Sequence, residues 1–130
     1  MAHPNEELAR ESAAAFQRGD LEALRNKYFA ADIRWHVPGR GPLAGTYEGV
    51  DEVLAVFGRL FELTNGTYTV EVHDVLANDE HAVTLLGQRA ERGGSVLTDN
   101  AIVVSHIRDG KLAEVWTVQT DLYASDELLS

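Results

Sequence analysis

The chain has 130 residues, of which 45% are hydrophobic and 25% charged, the size and composition of one globular domain. It has no cysteine, which excludes disulfides, iron–sulfur clusters, thiolate zinc sites and a cysteine nucleophile. Twenty-one acids against eleven bases give a net charge of −10, which repels phosphates and argues against nucleic acid and anionic membrane as partners.

The acid excess lies mainly in residues 71–130, with eleven acids and four bases. No apolar run approaches the roughly 20 residues of a membrane helix, and Met1 to Arg10 lacks the basic and apolar regions of a signal peptide. The expectation is a soluble, cytoplasmic protein.

Pro4 suits the first turn of a helix running to Arg18, with Leu8, Ala9, Ser12, Ala13, Ala15 and Phe16 on its less polar side. Gly19 ends it, and Asp20 caps a shorter helix carrying Leu21, Leu24 and Tyr28. Ile33 to Val37 alternates as a strand stopped by Pro38-Gly39, and residues Gly39 to Gly49 read as a loop. Asp51 opens a third helix whose stripe of Val50, Val53, Leu54, Phe57, Leu60 and Phe61 predicts a face lying on a core.

After Thr64-Asn65-Gly66 the period changes to two, with Tyr68, Val70 and Val72 alternating with polar residues. Strands follow over His81–Glu91, Ser95–Ile107 and Lys111–Thr120, with turns at Arg92-Gly93-Gly94 and Asp109-Gly110. The tail to Ser130 reads as short and acidic. Helices followed by a meander of long antiparallel strands predict an α+β fold, with the strands curled around the third helix and room for a pocket.

The order α-α-β-α-β-β-β-β resembles the cone-shaped fold shared by nuclear transport factor 2 and ketosteroid isomerase. The segments Gly19-Asp20, Trp35-His36-Val37-Pro38-Gly39, Pro42-Leu43-Ala44-Gly45, Tyr47-Glu48-Gly49, Asp109-Gly110-Lys111 and Glu114-Val115-Trp116 resemble the SnoaL-like, polyketide cyclase-like branch of that superfamily most closely. The resemblance covers residues 5–125 and implies a single domain over 1–130. It also implies an internal cavity and cofactor-free acid/base chemistry by a desolvated carboxylate or histidine. Members commonly pair through the sheet, so a homodimer is the implied partner state. The cyclases of this branch carry their acid/base just after the tryptophan of the last strand, which corresponds to Asp121 here. The first helix lacks the tyrosine that a steroid isomerase uses, which argues against steroid isomerisation.

A two-residue turn at Asp109-Gly110 pairs Arg108 with Lys111, His106 with Ala113, Asn100 with Gln119 and Thr98 with Asp121, unless a bulge reverses part of the register. That register gathers Asp121, Gln119, Asn100 and His106 on one face, with Trp116 on the other. Asn100 and Gln119 are candidates to hold a substrate oxygen. His36 lies near the position of the isomerase base and suits proton exchange at neutral pH, but alternation lets only one of Trp35 and His36 face the cavity. His106 lies by the turn, at the far end of the sheet. Trp35, Tyr47, Phe57, Phe61 and Trp116 supply aromatic surface for a core or pocket lining. His73, Asp74, Asp79, Glu80 and His81 flank a turn without compact metal-ligand spacing and read as a solvated hairpin, so no metal or cofactor is expected.

The implied function is a cyclase or isomerase acting on a small hydrophobic carbonyl compound, with Asp121 or His36 removing a proton next to the carbonyl. The alternatives are a non-catalytic module that binds a small hydrophobic molecule, and an epoxide hydrolase-like protein that activates water.

Overall fold

The computed structural model describes residues 2–130. Helix α1 (Pro4–Arg18) starts on His3, whose Nδ1 accepts from the Asn5 N–H at 3.0 Å, and ends at Gly19 with φ of 71°. That left-handed conformation closes a helix cheaply only for glycine. Helix α2 (Leu21–Ala23) is capped by Asp20, which accepts from the Ala23 N–H at 3.1 Å, and continues as a wider π turn over Leu24–Tyr28. Strands β1 (Phe29–Val37) and β2 (Gly45–Glu48), helix α3 (Val50–Leu63), strands β3 (Thr69–Ala77), β4 (His81–Arg92), β5 (Ser95–Arg108) and β6 (Lys111–Gln119), and helix α4 (Leu122–Leu129) complete the chain.

The six strands form one sheet in the order β2-β1-β6-β5-β4-β3. Every pair is antiparallel except β1 with β6, which run parallel. Helices α1 and α3 lie on the concave side, α1 against β3 and β4 and α3 against β1 and β2. Leu24, Ile33, Val53 and Val115 are the largest fully buried aliphatic side chains, so the core sits where the π turn, α3, β1 and β6 meet. The stripe expected on α3 is buried at Val53, Leu54 and Phe57, joined by Val56. At the sheet edge, Gln17 of α1 accepts from the Val70 N–H at 2.6 Å, which ties β3 to the helix layer.

The α+β architecture and the element order match the sequence-based expectation, with four differences. The first strand starts at Phe29 rather than Ile33, because the chain passes from the π turn straight into extended backbone. The segment expected to be wholly loop contains β2, whose Thr46 and Tyr47 pair with His36 and Trp35. Helix α3 opens at Val50 rather than Asp51, with Gly49 at its N-cap, and Asp51 pairs with Arg25 at 2.6 Å. The acidic tail forms α4. No helix among the described residues is long and apolar enough to cross a membrane.

The hairpin register is also corrected. Arg108 pairs with Lys111 as expected, but a bulge between His106 and Ile107 shifts everything beyond it. His106 lies opposite Glu114, Val104 opposite Trp116 and Ala101 opposite Gln119. A one-residue slip moves each β5 side chain to the other face, so Asn100 points away from the concave side and Asp99 toward it.

Candidate ligand-binding cavity

Between the helices and the concave sheet face lies a cavity of about 190 Å³. One wall is aromatic: Phe57 meets Phe16 edge-on at 5.0 Å and Trp35 at 4.9 Å between ring centres. The other wall is the sheet, where period-two alternation sends Thr84, Leu86, Gln88 and Ala90 of β4 inward beside Ala101, Val103 and Ser105 of β5. Thr117 and Gln119 of β6 also line it.

Helix α4 covers one end with Ser125, Asp126, Leu128 and Leu129. Two contacts hold it there. The Asp126 carboxylate accepts from the backbone N–H groups of Arg40 at 2.9 Å and Gly41 at 3.1 Å, and Arg92 Nη1 donates to the carbonyls of Leu128 at 3.1 Å and Ser130 at 2.6 Å. Among the described residues, Asp126 is the one carboxylate that lines the cavity.

The buried polar cluster on the sheet wall centres on Gln88, which is 4% exposed. The Tyr68 hydroxyl donates to Gln88 Oε1 at 2.6 Å. The other end of that amide, Nε2, is enclosed and has no hydrogen-bond partner. Asp99 is the cross-strand neighbour of Gln88 and is itself buried. Its carboxylate accepts from the Thr120 hydroxyl, from the Asn100 N–H at 2.8 Å and from the Asp121 N–H at 3.2 Å. Burial of the Tyr68 hydroxyl, and then the Asp99 carboxylate, push the phenol above its ordinary pKa, since both penalise the phenolate. The Tyr68 hydroxyl therefore keeps its hydrogen at neutral pH.

The structure divides the sequence-predicted residues. Trp35, Phe57 and Gln119 line the cavity. Tyr47 packs against the core, with its hydroxyl donating to the Leu43 carbonyl at 2.7 Å, and Phe61 packs on Phe16 at 5.2 Å beside it. Trp35 is the inward member of its pair. His36 lies on the outer sheet face, stacked on Trp116 at 5.5 Å, with its Nε2–H donating to Glu114 at 2.7 Å and Nδ1 2.9 Å from Thr46 Oγ1. His106 is on the same outer face, 5.3 Å from the ring of His81, and Asn100 is there too because of the bulge. Asp121 is exposed and accepts from the Ala124 N–H at 3.1 Å as the cap of α4. Asp121 and Asn100 are thus not brought together with Gln119 in the cavity. Tyr68, Gln88, Asp99 and Asp126 take the inward places, none of which the sequence reading had proposed as a site residue. In the turn cluster, Asp79 pairs with His3 at 3.0 Å and Asp74 with Arg10 at 3.5 Å.

Comparison with known proteins agrees with this architecture. An uncharacterized protein of Mycobacterium tuberculosis is 36% identical over 121 residues, 92% of each chain. The structure of Bal32a, from a soil-derived mobile gene cassette, is 33% identical with a TM-score of 0.93 and covers 98% of this chain and 97% of that one. An NTF2-like protein of unknown function from Burkholderia pseudomallei is 26% identical with a TM-score of 0.86, covering 99% of both. The model of the SnoaL-like domain matches residues 9–115, and the chain belongs to the SnoaL-like family.

Proposed function

We propose that this chain takes a small, uncharged, largely apolar carbonyl compound into its cavity, without a cofactor. The observation that carries this reading is the space of about 190 Å³ between aromatic rings and a mostly apolar sheet face. It is somewhat larger than the roughly 150 Å³ dry cavity that accepts benzene. One substituted ring fits, and a polycyclic compound does not while α4 closes the end. The carboxylate that lines the cavity is that of Asp126, so a carboxylate ligand would be repelled and left desolvated.

Acetophenone and benzoate test this by thermal unfolding. At a hundred times its dissociation constant, acetophenone stabilises by about 2.7 kcal/mol, a rise of roughly 10 °C for a domain of this size. Benzoate is expected to give none. A rise with benzoate equal to that with acetophenone, or none with either, contradicts the reading.

A second reading, an isomerase- or cyclase-type enzyme, is favoured by the placement of Asp126. Each of its oxygens accepts one backbone N–H and keeps a lone pair free. In this reading Asp126 takes the proton from the carbon next to the carbonyl, the C–H pair becomes the carbon–carbon double bond of an enolate while the C=O π pair moves to oxygen, and the proton returns to carbon as both pairs move back. In D2O the methyl group of acetophenone would then gain deuterium above the background rate, and Asp126→Asn would abolish the gain. Binding with no exchange leaves the chain a binding protein.

A further inference from the structure

We infer that Gln88 anchors the oxygen of the ligand and that Tyr68 fixes which end of the Gln88 amide faces it, so that the site selects hydrogen-bond acceptors over donors. The inference rests on the cavity reading above and deepens it.

A buried amide presents either an acceptor or two donors, depending on its rotation. Gln88 projects from the cavity side of β4, between Leu86 and Ala90 along the same row. The Tyr68 hydroxyl, the donor at 2.6 Å, occupies Oε1. A phenol has one hydrogen to give, and with its pKa raised by burial and by Asp99 it keeps that hydrogen. Turning the amide over would bring Nε2 against the Tyr68 hydroxyl and leave Oε1 unpaired. The observed orientation leaves Nε2 as the enclosed donor with no acceptor. Buried donors are seldom unpaired in folded proteins, and leaving one unpaired is costly. A ligand oxygen placed there relieves that cost. Asp99, the cross-strand neighbour of Gln88, already accepts from Thr120, Asn100 and Asp121.

A ketone oxygen accepts from one of the two Nε2 hydrogens and asks for nothing further. An alcohol oxygen also accepts, but its own O–H then needs an acceptor, and along the Gln88 row its neighbours are Leu86 and Ala90. An alkyl group leaves Nε2 as it was. The site should therefore rank ketone above alcohol and hydrocarbon of the same shape.

Acetophenone, 1-phenylethanol and ethylbenzene are matched probes for calorimetric titration. The wild-type chain is expected to bind acetophenone roughly tenfold more tightly than either of the others. Gln88→Met should remove that preference. Tyr68→Phe should allow the amide to turn and bring the ketone-to-alcohol ratio to within about threefold, because Oε1 can then accept from the alcohol. The infrared carbonyl stretch of bound acetophenone reads the contact itself: lowered in the wild type, and returned toward its apolar-solvent position in Gln88→Met. A structural role of Gln88 alone would not move that band.

If neither single variant folds, the Tyr68→Phe/Gln88→Met double variant leaves no partner unpaired and must show no ketone preference. Retention of the preference in Gln88→Met or the double variant overturns the anchor. Its loss in Gln88→Met with the ratio intact in Tyr68→Phe overturns the orienting role of Tyr68. Failure of all three probes to bind the wild type overturns the cavity reading itself.

Discussion

Tyr68 keeps its proton beyond the pH at which an exposed phenol loses it, and this has a consequence for stability. Below about pH 10 the folded and unfolded chains both hold the proton, and Tyr68 contributes no pH dependence. Above it the unfolded chain releases the proton while the folded chain does not, so stability falls by up to about 1.4 kcal/mol per pH unit until the raised folded value is passed. The unfolding free energy of the wild type minus that of Tyr68→Phe should be flat below pH 9 and decline above pH 10. A difference that stays flat through that range would show that the hydroxyl is not enclosed. Asp121 makes the opposite kind of prediction. As the exposed cap of α4 it should contribute about 1 kcal/mol. Asp121→Ala is expected to lower the melting temperature by a few degrees and leave acetophenone affinity unchanged; a tenfold loss of affinity would return Asp121 to the site. The residue that matters most was legible in one respect. Ala82, Thr84, Leu86, Gln88 and Ala90 recur at period two, and a lone amide in such a row stands out. What could not be read was its company, since Tyr68 is 20 residues away and reaches Gln88 only after β3 and β4 pair.

The elements were read well where periodicity or a turn dipeptide speaks, and poorly where a long-range contact decides. Helices α1 and α3, the three long hairpin strands and the Asp109-Gly110 turn were all visible in the sequence. Strand β2 was not, because four residues beside a glycine-rich loop become a strand only by pairing with β1. Helix α4 was not, because Asp126 and Arg92 hold it in place through partners about 85 and 36 residues away. The bulge at His106/Ile107 had the widest effect. It exchanged Asn100 for Asp99 on the concave face, and local sequence does not encode which strand takes an extra residue. As α4 is held by few contacts, ending the chain after Asp121 should open the cavity. An environment-sensitive dye such as anilinonaphthalene sulfonate is expected to fluoresce with the shortened chain and not with the full one. Equal fluorescence would mean that α4 does not close the space. Gly39→Ala should act in the same direction, because Gly39 has φ of 96° and a Cβ there would overlap the Asp126 carboxylate. A cost above about 1 kcal/mol in stability is expected from the strain alone.

At the scale of the whole molecule, the cone has two faces of different character. The inner one is mostly apolar, with one buried amide donor, Gln88 Nε2, unpaired. The outer one carries His36, His106, Asn100 and Trp116, which the sequence suggested as site residues, with Glu114 bonded to His36. Family resemblance gave the architecture and the presence of an interior, while the facing of individual side chains depended on register. The co-crystal structure with acetophenone tests this account most directly. The account expects the ring against Phe16, Trp35 and Phe57, and the oxygen about 3 Å from Gln88 Nε2. An empty cavity at saturating acetophenone, or a ring seated there with its oxygen turned toward α4 and away from Gln88, would contradict it.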